Sequence, residues 1–304
     1  MRNIRIIGRG KYIPQKEVDN QLLSKQFGVD EEKILELSGI EKRFYAQVEK
    51  MEDMAYMASL KAVQDAKIEK ENVDMIIVAT TSTTKIMPGI SFLVQKKLDI
   101  KKCMCLDVLG GCSGYINAFD IAEMAISLNR INTALIIGVE QLSKIIDEKD
   151  YSTAILMGDG AGATIISNTD ENKIYASNIR SQGQESDLLV YEYENKLSMQ
   201  GKKIYKYAVK EVNELITETL EQAGLELDDI KSIILHQSNQ RIMDAIGSRL
   251  GCKEKMYTNI KEIGNTFCAS IPIALSEVEL EKGDKIMLVG YGGGLNSGCI
   301  ILEY

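Results

Sequence analysis

The sequence predicts an α/β fold in which two similar halves stack their sheets on a pair of buried helices. Three observations carry this. Strand-like and helix-like segments alternate along the chain, the pattern of a fold with helices packed on its sheets. Two helical stretches, one in each half, are apolar almost all round, so each must be covered on every side. Corresponding residues also recur at a near-constant spacing. Thr80 and His236 stand 156 positions apart, as do Cys112 and Cys268, and Gly138 and Gly290 stand 152 apart. Such an echo is the mark of an internal duplication.

The strands of the first half are the aliphatic runs "DMIIVAT" (74–80), "CMCLDV" (103–108), "TALIIGV" (133–139) and "GATIIS" (162–167). Those of the second are "SIILHQ" (232–237), "MYTNI" (256–260), "KIMLVG" (285–290) and "GCIILEY" (298–304). Their length and branched side chains suit strands buried on both faces. The stretch 206–224 has apolar residues at Val209, Val212, Leu215, Ile216, Leu220 and Ala223 and ends on a glycine, so it reads as a surface helix. The fully apolar helices are "YINAFDIAEMAI" (115–126) and "FCASIPIALSEV" (267–278). No Pro- or Ser-rich linker interrupts the chain and there are only 3 prolines. The halves, 1–168 and 169–304, are therefore expected to form one rigid body.

Composition narrows the function. At 304 residues, 45% hydrophobic and 26% charged, the chain can bury a sizeable core in water. No uncharged apolar run reaches the length of a bilayer span. The opening "MRNIRIIGRGKYIP" lacks the apolar segment and cleavage site of a signal peptide, so a cytoplasmic location is expected. A net charge of -8 argues against nucleic acid as the main partner. Six cysteines without a C-x-x-C pair read as reduced thiols rather than as disulfides or a metal site.

The chain has a single histidine, His236, in "ILHQSNQ". Cys112, in "LDVLGGCSGYINAF", falls where a strand passes through a glycine turn into a buried helix. A helix start favours thiolate and is expected to lower the thiol pKa from about 8.5. Asn265 lies in "EIGNTFCASIP", at the turn into the other buried helix, and Gly293 in "VGYGGGLNSG", where a backbone N–H can face an oxyanion. Cys103, Cys105, Cys252 and Cys299 read as structural, with Cys268 less clear in its mirrored position. Each of these residues alone is more often structural. Together they sit at element ends that converge in a duplicated fold.

At these residues the chain resembles the thiolase superfamily, and within it the β-ketoacyl-(acyl carrier protein) synthase III family. The matching segments run in order from "IIGRGKYIP" through "SGIEKRF", "VATTSTT", "DVLGGCSGY", "GDGAGA", "HQSNQRI" and "GNTFCASIPIAL" to "GYGGG". The resemblance implies a thiolase-like five-layered αβαβα sandwich and a homodimer. It implies that Cys112 accepts an acyl group, with its own N–H and that of Gly293 as oxyanion hole. His236 and Asn265 would hold the carbonyl of a malonyl-type thioester as it loses carbon dioxide. No bound cofactor is implied; coenzyme A or phosphopantetheine thioesters would be substrates and acyl carrier protein the partner. Asn239, Arg241, Lys206 and Arg249 would meet the pantetheine or the carrier, with Lys203, Lys206 and Lys210 on one helix face and Lys202 beside them. Met87 would end the acyl pocket.

The chain departs from the family pattern in places. It has no tryptophan; Lys33 and Tyr151 stand where members clamp adenine with tryptophan and arginine, and Leu37 replaces a nearby arginine. Residues 183–200 are shortened. These differences weaken the case for acetyl-CoA priming of housekeeping fatty-acid synthesis and make a specialised pathway credible, so fatty-acid or specialised polyketide-type biosynthesis is the expected setting. Two alternatives stay open: an acyltransferase that uses acyl-Cys112 without condensation, and a non-catalytic subunit of a heterodimeric synthase.

Overall fold

The computed structural model describes residues 2–83, 85–147, 149–192 and 196–304. Ten strands form two five-stranded sheets. The first holds β1 (Arg2–Tyr12), β2 (Met75–Ala79), β3 (Met104–Val108), β4 (Thr133–Gln141) and β5 (Asp159–Lys173), in the order β3-β2-β4-β5-β1. The second holds β6 (Tyr175–Ser181), β7 (Ser232–Leu235), β8 (Met256–Tyr257), β9 (Lys285–Gly292) and β10 (Asn296–Glu303), in the order β8-β7-β9-β10-β6. The pairings match as well as the order. β2 runs parallel to β3 and β4, as β7 does to β8 and β9. The other two pairings of each sheet are antiparallel. The chain passes from one sheet to the other at Ile174, slightly beyond the expected division at 168, because β5 continues to Lys173 and pairs there with Arg2.

Six main helices complete the layers: α1 (Met51–Ala66), α2 (Ile90–Leu98), α3 (Gly114–Ser127), α4 (Gly201–Ala223), α5 (Gln240–Leu250) and α6 (Ser270–Leu275). The first two cover the outer face of the first sheet, where Met54, Ala58 and Val94 pack on Ile76, Val78 and Ile137. The fourth and fifth do the same for the second, with Val212, Ile216 and Ile246 against Ile233, Met287 and Ile301. Between the sheets, Tyr115 and Phe119 of α3 and Ile271 and Leu275 of α6 join one apolar cluster with Ile77, Ile234, Leu288 and Ile300. Burying Tyr115 requires a partner for its hydroxyl, and it donates to Thr164 Oγ1 at 2.8 Å.

Two glycines let these layers close. A Cβ on Gly138 would stand 2.1 Å from the Cys268 carbonyl oxygen, and one on Gly290 3.0 Å from Ser113 Cα. Each inner strand thus admits the turn that opens a buried helix, at positions matched by the duplication. The structure shortens two expected elements. The segment 256–260 is a strand only at Met256–Tyr257, and Ile260–Ile263 form a helical turn. The segment 267–278 divides into a 3-10 turn at Phe267–Ala269 and α6, which stops at Leu275. No described helix is long and apolar enough to cross a membrane.

Candidate active site

Beyond β3 the chain turns at Leu109 and Gly110 and enters a 3-10 turn, Gly111–Ser113, that runs into α3. Cys112 sits in this turn, 3% exposed. Gly111 takes φ +56°, a conformation that suits glycine, and its carbonyl accepts the Cys268 thiol proton at 2.8 Å. The backbone N–H groups of Gly293 and of Cys112 itself favour the thiolate form of Cys112. A helix start was expected to lower this thiol's pKa. Instead burial, followed by the charge of Glu140, pushes it up, and the two N–H groups oppose that only in part. The thiol is therefore held protonated, with its anion-stabilising donors already aimed.

His236 follows β7, and its N–H extends the parallel ladder to the Val289 carbonyl at 2.7 Å. The side chain is 1% exposed, edge-on to the rings of Tyr291 and Phe267. Its Nδ1 lies 2.7 Å from Ser270 Oγ. Desolvation lowers its pKa to about 3, so the imidazole is neutral and serves as a hydrogen-bonding group rather than as a charge. Asn265 is fixed on four sides. Its N–H donates to Leu156 and its carbonyl accepts from Gly158, both at 2.8 Å. Oδ1 accepts the Phe267 N–H at 3.0 Å, and Nδ2 donates to the Ser238 carbonyl at 3.1 Å, which among the described residues leaves the second Nδ2–H available.

Cys112, His236 and Asn265 line one cavity of about 530 Å³. Leu37, Leu156, Met199 and Ile204 make much of its wall, and Lys202, Tyr205, Lys206 and Arg241 also line it. A second cavity, of about 520 Å³, adjoins Gly111 and Gly293, with Phe267 and Leu189 shared between the two.

The remaining expected residues divide. Arg241 and Lys206 line the first cavity, but Arg249, Lys203 and Lys210 are exposed elsewhere, and Lys202 takes their place. Asn239 lines it too, yet its carboxamide is engaged. Oδ1 caps α5 through the Arg241 N–H at 2.9 Å, and Nδ2 donates to the Leu37 carbonyl at 3.0 Å. One Nδ2–H stays without a partner among the described residues, as in Asn265, so the side chain shapes the wall and can still donate to a ligand in the cavity. Met87 is 88% exposed and lines neither cavity of its own chain. Tyr151 packs its ring on Phe27 at 5.6 Å, and Lys33 pairs with Glu36 at 2.8 Å. Of the stretch 183–200, residues 193–195 lie outside the described residues; Gly183–Leu188 form a 3-10 turn, and Leu189–Val190 pair with Ser198–Met199 in a short ribbon that places Leu189 between the cavities.

Sequence reasoning missed Ser270, Phe267 and Glu140. Glu140 was visible as a carboxylate ending an otherwise apolar strand. It is fully buried and accepts the N–H groups of Thr81 and Ser82, each at 2.9 Å, and burial raises its pKa.

The model of the family described as 3-Oxoacyl-[acyl-carrier-protein (ACP)] synthase III matches residues 106–183, and that of its C-terminal part residues 220–304. Beta-ketoacyl-[acyl-carrier-protein] synthase III of Clostridium perfringens is 38% identical over the whole of both chains. The crystal structure of 3-oxoacyl-[acyl-carrier-protein] synthase III from Aquifex aeolicus superposes with a TM-score of 0.97 at 36% identity, covering 99% of this chain and 100% of that one. The priming β-ketosynthase of the R1128 polyketide pathway gives 0.95 at 28% identity, covering 99% and 96%. Two matched family segments, one containing the nucleophile turn and the other the histidine, and full-length identity of this size leave one conclusion: the chain belongs to the 3-oxoacyl-[acyl-carrier-protein] synthase III family.

Proposed function

We propose that this transferase makes a carbon–carbon bond in two half-reactions on Cys112. An acyl thioester enters the first cavity and the Cys112 sulfur attacks its carbonyl. The oxygen becomes negative between the N–H groups of Cys112 and Gly293, the donor thiol leaves with the proton, and acyl-Cys112 remains. A malonyl thioester then takes the vacated cavity. Its C–CO₂ bond breaks, and the electron pair moves into the thioester carbonyl, held by His236 Nε2–H and the free Nδ2–H of Asn265. The resulting carbon attacks the acyl group, and Cys112 departs as thiolate to take up a proton. The observation that carries this reading is the neutral, buried His236 beside Asn265 in the cavity of Cys112. An imidazole of such low basicity is a poor base for a thiol but a good positioned donor.

Coenzyme A or phosphopantetheine thioesters fit a largely apolar cavity with cationic groups along its lining, and the chemistry requires no bound cofactor. An acidic acyl carrier protein would dock on that cationic rim, in fatty-acid or polyketide-type synthesis in the cytoplasm. Homodimer formation is supported by β3, an edge strand with half-exposed Met104 and Leu106, and by exposed Leu109 just beyond it, since an uncovered apolar edge invites pairing. Exposed Met87 would then face the acyl pocket of the second copy.

Intact-protein mass spectrometry with a panel of acyl thioesters tests the scheme. Cys112→Ala should take up no acyl group, whereas Cys103→Ala and Cys299→Ser load normally. His236→Ala and Asn265→Ala should load but fail to release carbon dioxide from malonyl thioester, each losing about 3–4 kcal/mol of transition-state stabilisation. Failure of both to load would make the histidine a base to the thiol. Loading of the wild type without carbon dioxide release from any malonyl donor would identify a simple acyltransferase.

A further inference from the structure

We infer that the second cavity is built for an acyl chain that carries a hydroxyl or similar hydrogen-bonding group, rather than for a plain alkyl chain. The inference rests on the reading of Cys112 as the acyl carrier. Gly111 and Gly293, which flank the sulfur, form part of this cavity's wall. An acyl group with its carbonyl oxygen between the Cys112 and Gly293 N–H groups has that space beside it.

The wall is not uniformly apolar. Asn117, in the first turns of α3, and Asn296, at the start of β10, both line it, together with Ser181. Asn117 Oδ1 is buried and has no hydrogen-bond partner among the described residues. Asn296 is 8% exposed, and its Oδ1 accepts from Ser181 Oγ at 3.3 Å. Its Nδ2 makes no hydrogen bond among the described residues. Asn117 Oδ1 is enclosed by protein, so Asn117 meets the chamber with the rest of its side chain, and Asn296 offers an Nδ2 that the described residues leave unmatched.

Filling it with a methylene chain would strip water from both carboxamides and return nothing. A hydroxyl is donor and acceptor at once, so it can accept an Asn296 N–H and still pair with whichever end of the Asn117 carboxamide faces it. Turning the Asn117 amide by half a revolution exchanges its oxygen and nitrogen between the enclosed end and the cavity end, and a hydroxyl pairs with either. A site made to bond a substrate hydroxyl discriminates against the analogue lacking one more sharply than an apolar pocket discriminates by size.

The test compares loading of Cys112 by butyryl-CoA with loading by 3-hydroxybutyryl-CoA and 4-hydroxybutyryl-CoA, followed by intact-mass spectrometry at equal concentrations. The wild type should load one of the hydroxylated chains about tenfold or more faster than butyryl. Asn117→Leu, of similar size, should bring that ratio close to one or reverse it; the ratio is taken within one protein, so a general loss of activity cancels. Equal loading in the wild type means that water or a second copy satisfies Asn117, and it overturns the inference, as does a preference for butyryl. An unchanged ratio in Asn117→Leu also overturns it. If no thioester acylates Cys112, the acyl-enzyme reading falls and takes this inference with it; acylation that ignores the hydroxyl removes this inference alone.

Discussion

The Nδ1 atom of His236 lies 2.7 Å from the Ser270 hydroxyl oxygen, which is also 2.8 Å from the carbonyl oxygen of Phe267. The hydroxyl has one proton, so its direction sets the tautomer of the ring. If it points to Phe267, the imidazole proton sits on Nδ1 and Nε2 is bare. If it points to Nδ1, the proton sits on Nε2, as the donor role in decarboxylation requires. The Phe267 carbonyl already accepts the Ser270 backbone N–H, so the hydroxyl can turn to the ring without leaving that oxygen unpaired.

Ser270→Ala should therefore lower condensation about ten- to a hundredfold while leaving acyl loading of Cys112 within about twofold. Ser270→Thr, which keeps the hydroxyl, should recover much of the loss. Because the chain has one histidine, nitrogen-15 spectra of labelled imidazole report its tautomer without assignment. Wild-type protein bound to the amide analogue of malonyl-CoA should show the Nε2–H form. The Nδ1–H form in that complex would show that Ser270 does not act in this way.

Glu140 bears on the nucleophile through its charge. Buried Glu140 raises the Cys112 pKa, second only to burial itself. Glu140→Gln removes that charge, so the Cys112 pKa should fall and more thiolate should be present at a given pH. Alkylation of Cys112 by iodoacetamide at pH 7–8 should quicken about two- to tenfold, with the rate–pH curve moved to lower pH. Peptide mapping separates Cys112 from Cys268, which Glu140 also influences. Slower alkylation would mean that the bonds from Thr81 and Ser82 to Glu140 matter through the shape of the site.

The depressed basicity of His236 has a signature in stability. Folded, the ring titrates at about 3; unfolded, at about 6.5. Between these values the unfolded chain binds the extra proton, so protonation favours unfolding. The stabilising contribution is complete above about pH 6.5 and shrinks as pH falls towards 3. Between pH 6 and 5 the wild type should lose about 1 kcal/mol that His236→Gln does not. Urea unfolding of both proteins at the two pH values measures the difference, in which the carboxylates cancel.

How much of this was legible depended on where each residue's role is decided. The inner strands announced themselves because burial on both faces demands unbroken aliphatic runs, as in Met75–Ala79. β1 and β6 escaped because they are edge strands that carry Arg5, Arg9, Lys11 and Arg180. Cys112, Asn265 and Gly293 stood out beside glycine turns at element ends, and His236 by being the single imidazole. Ser270 and Phe267 act through contacts with a strand far away in the chain, which no local pattern encodes. The lysines show a phase problem. The helix begins at Gly201, not at 206, and its rotation against the cavity turns Lys202 and Lys206 inward and leaves Lys203 and Lys210 outside.

That rotation bears on how an acidic carrier could approach a chain whose net charge is -8. Long-range repulsion opposes the encounter, so a local cationic patch must reverse it near the cavity. Lys202 and Lys206 of α4 and Arg241 of α5 are exposed and line the same cavity. Arg249 is exposed on α5 but away from it. Arg241→Glu should raise KM for a carrier-bound thioester about tenfold at low salt and much less at 0.5 M salt, because exposed charges are screened. A short pantetheine thioester, which has no acidic partner to dock, should be affected far less. Arg249→Glu changes net charge equally, so it isolates position from total charge, and its effect on the carrier-bound substrate should be under about twofold. Equal losses for Arg241→Glu on both substrates would place Arg241 in substrate positioning inside the cavity, and equal effects of the two reversals would make the carrier respond to overall charge with no local patch.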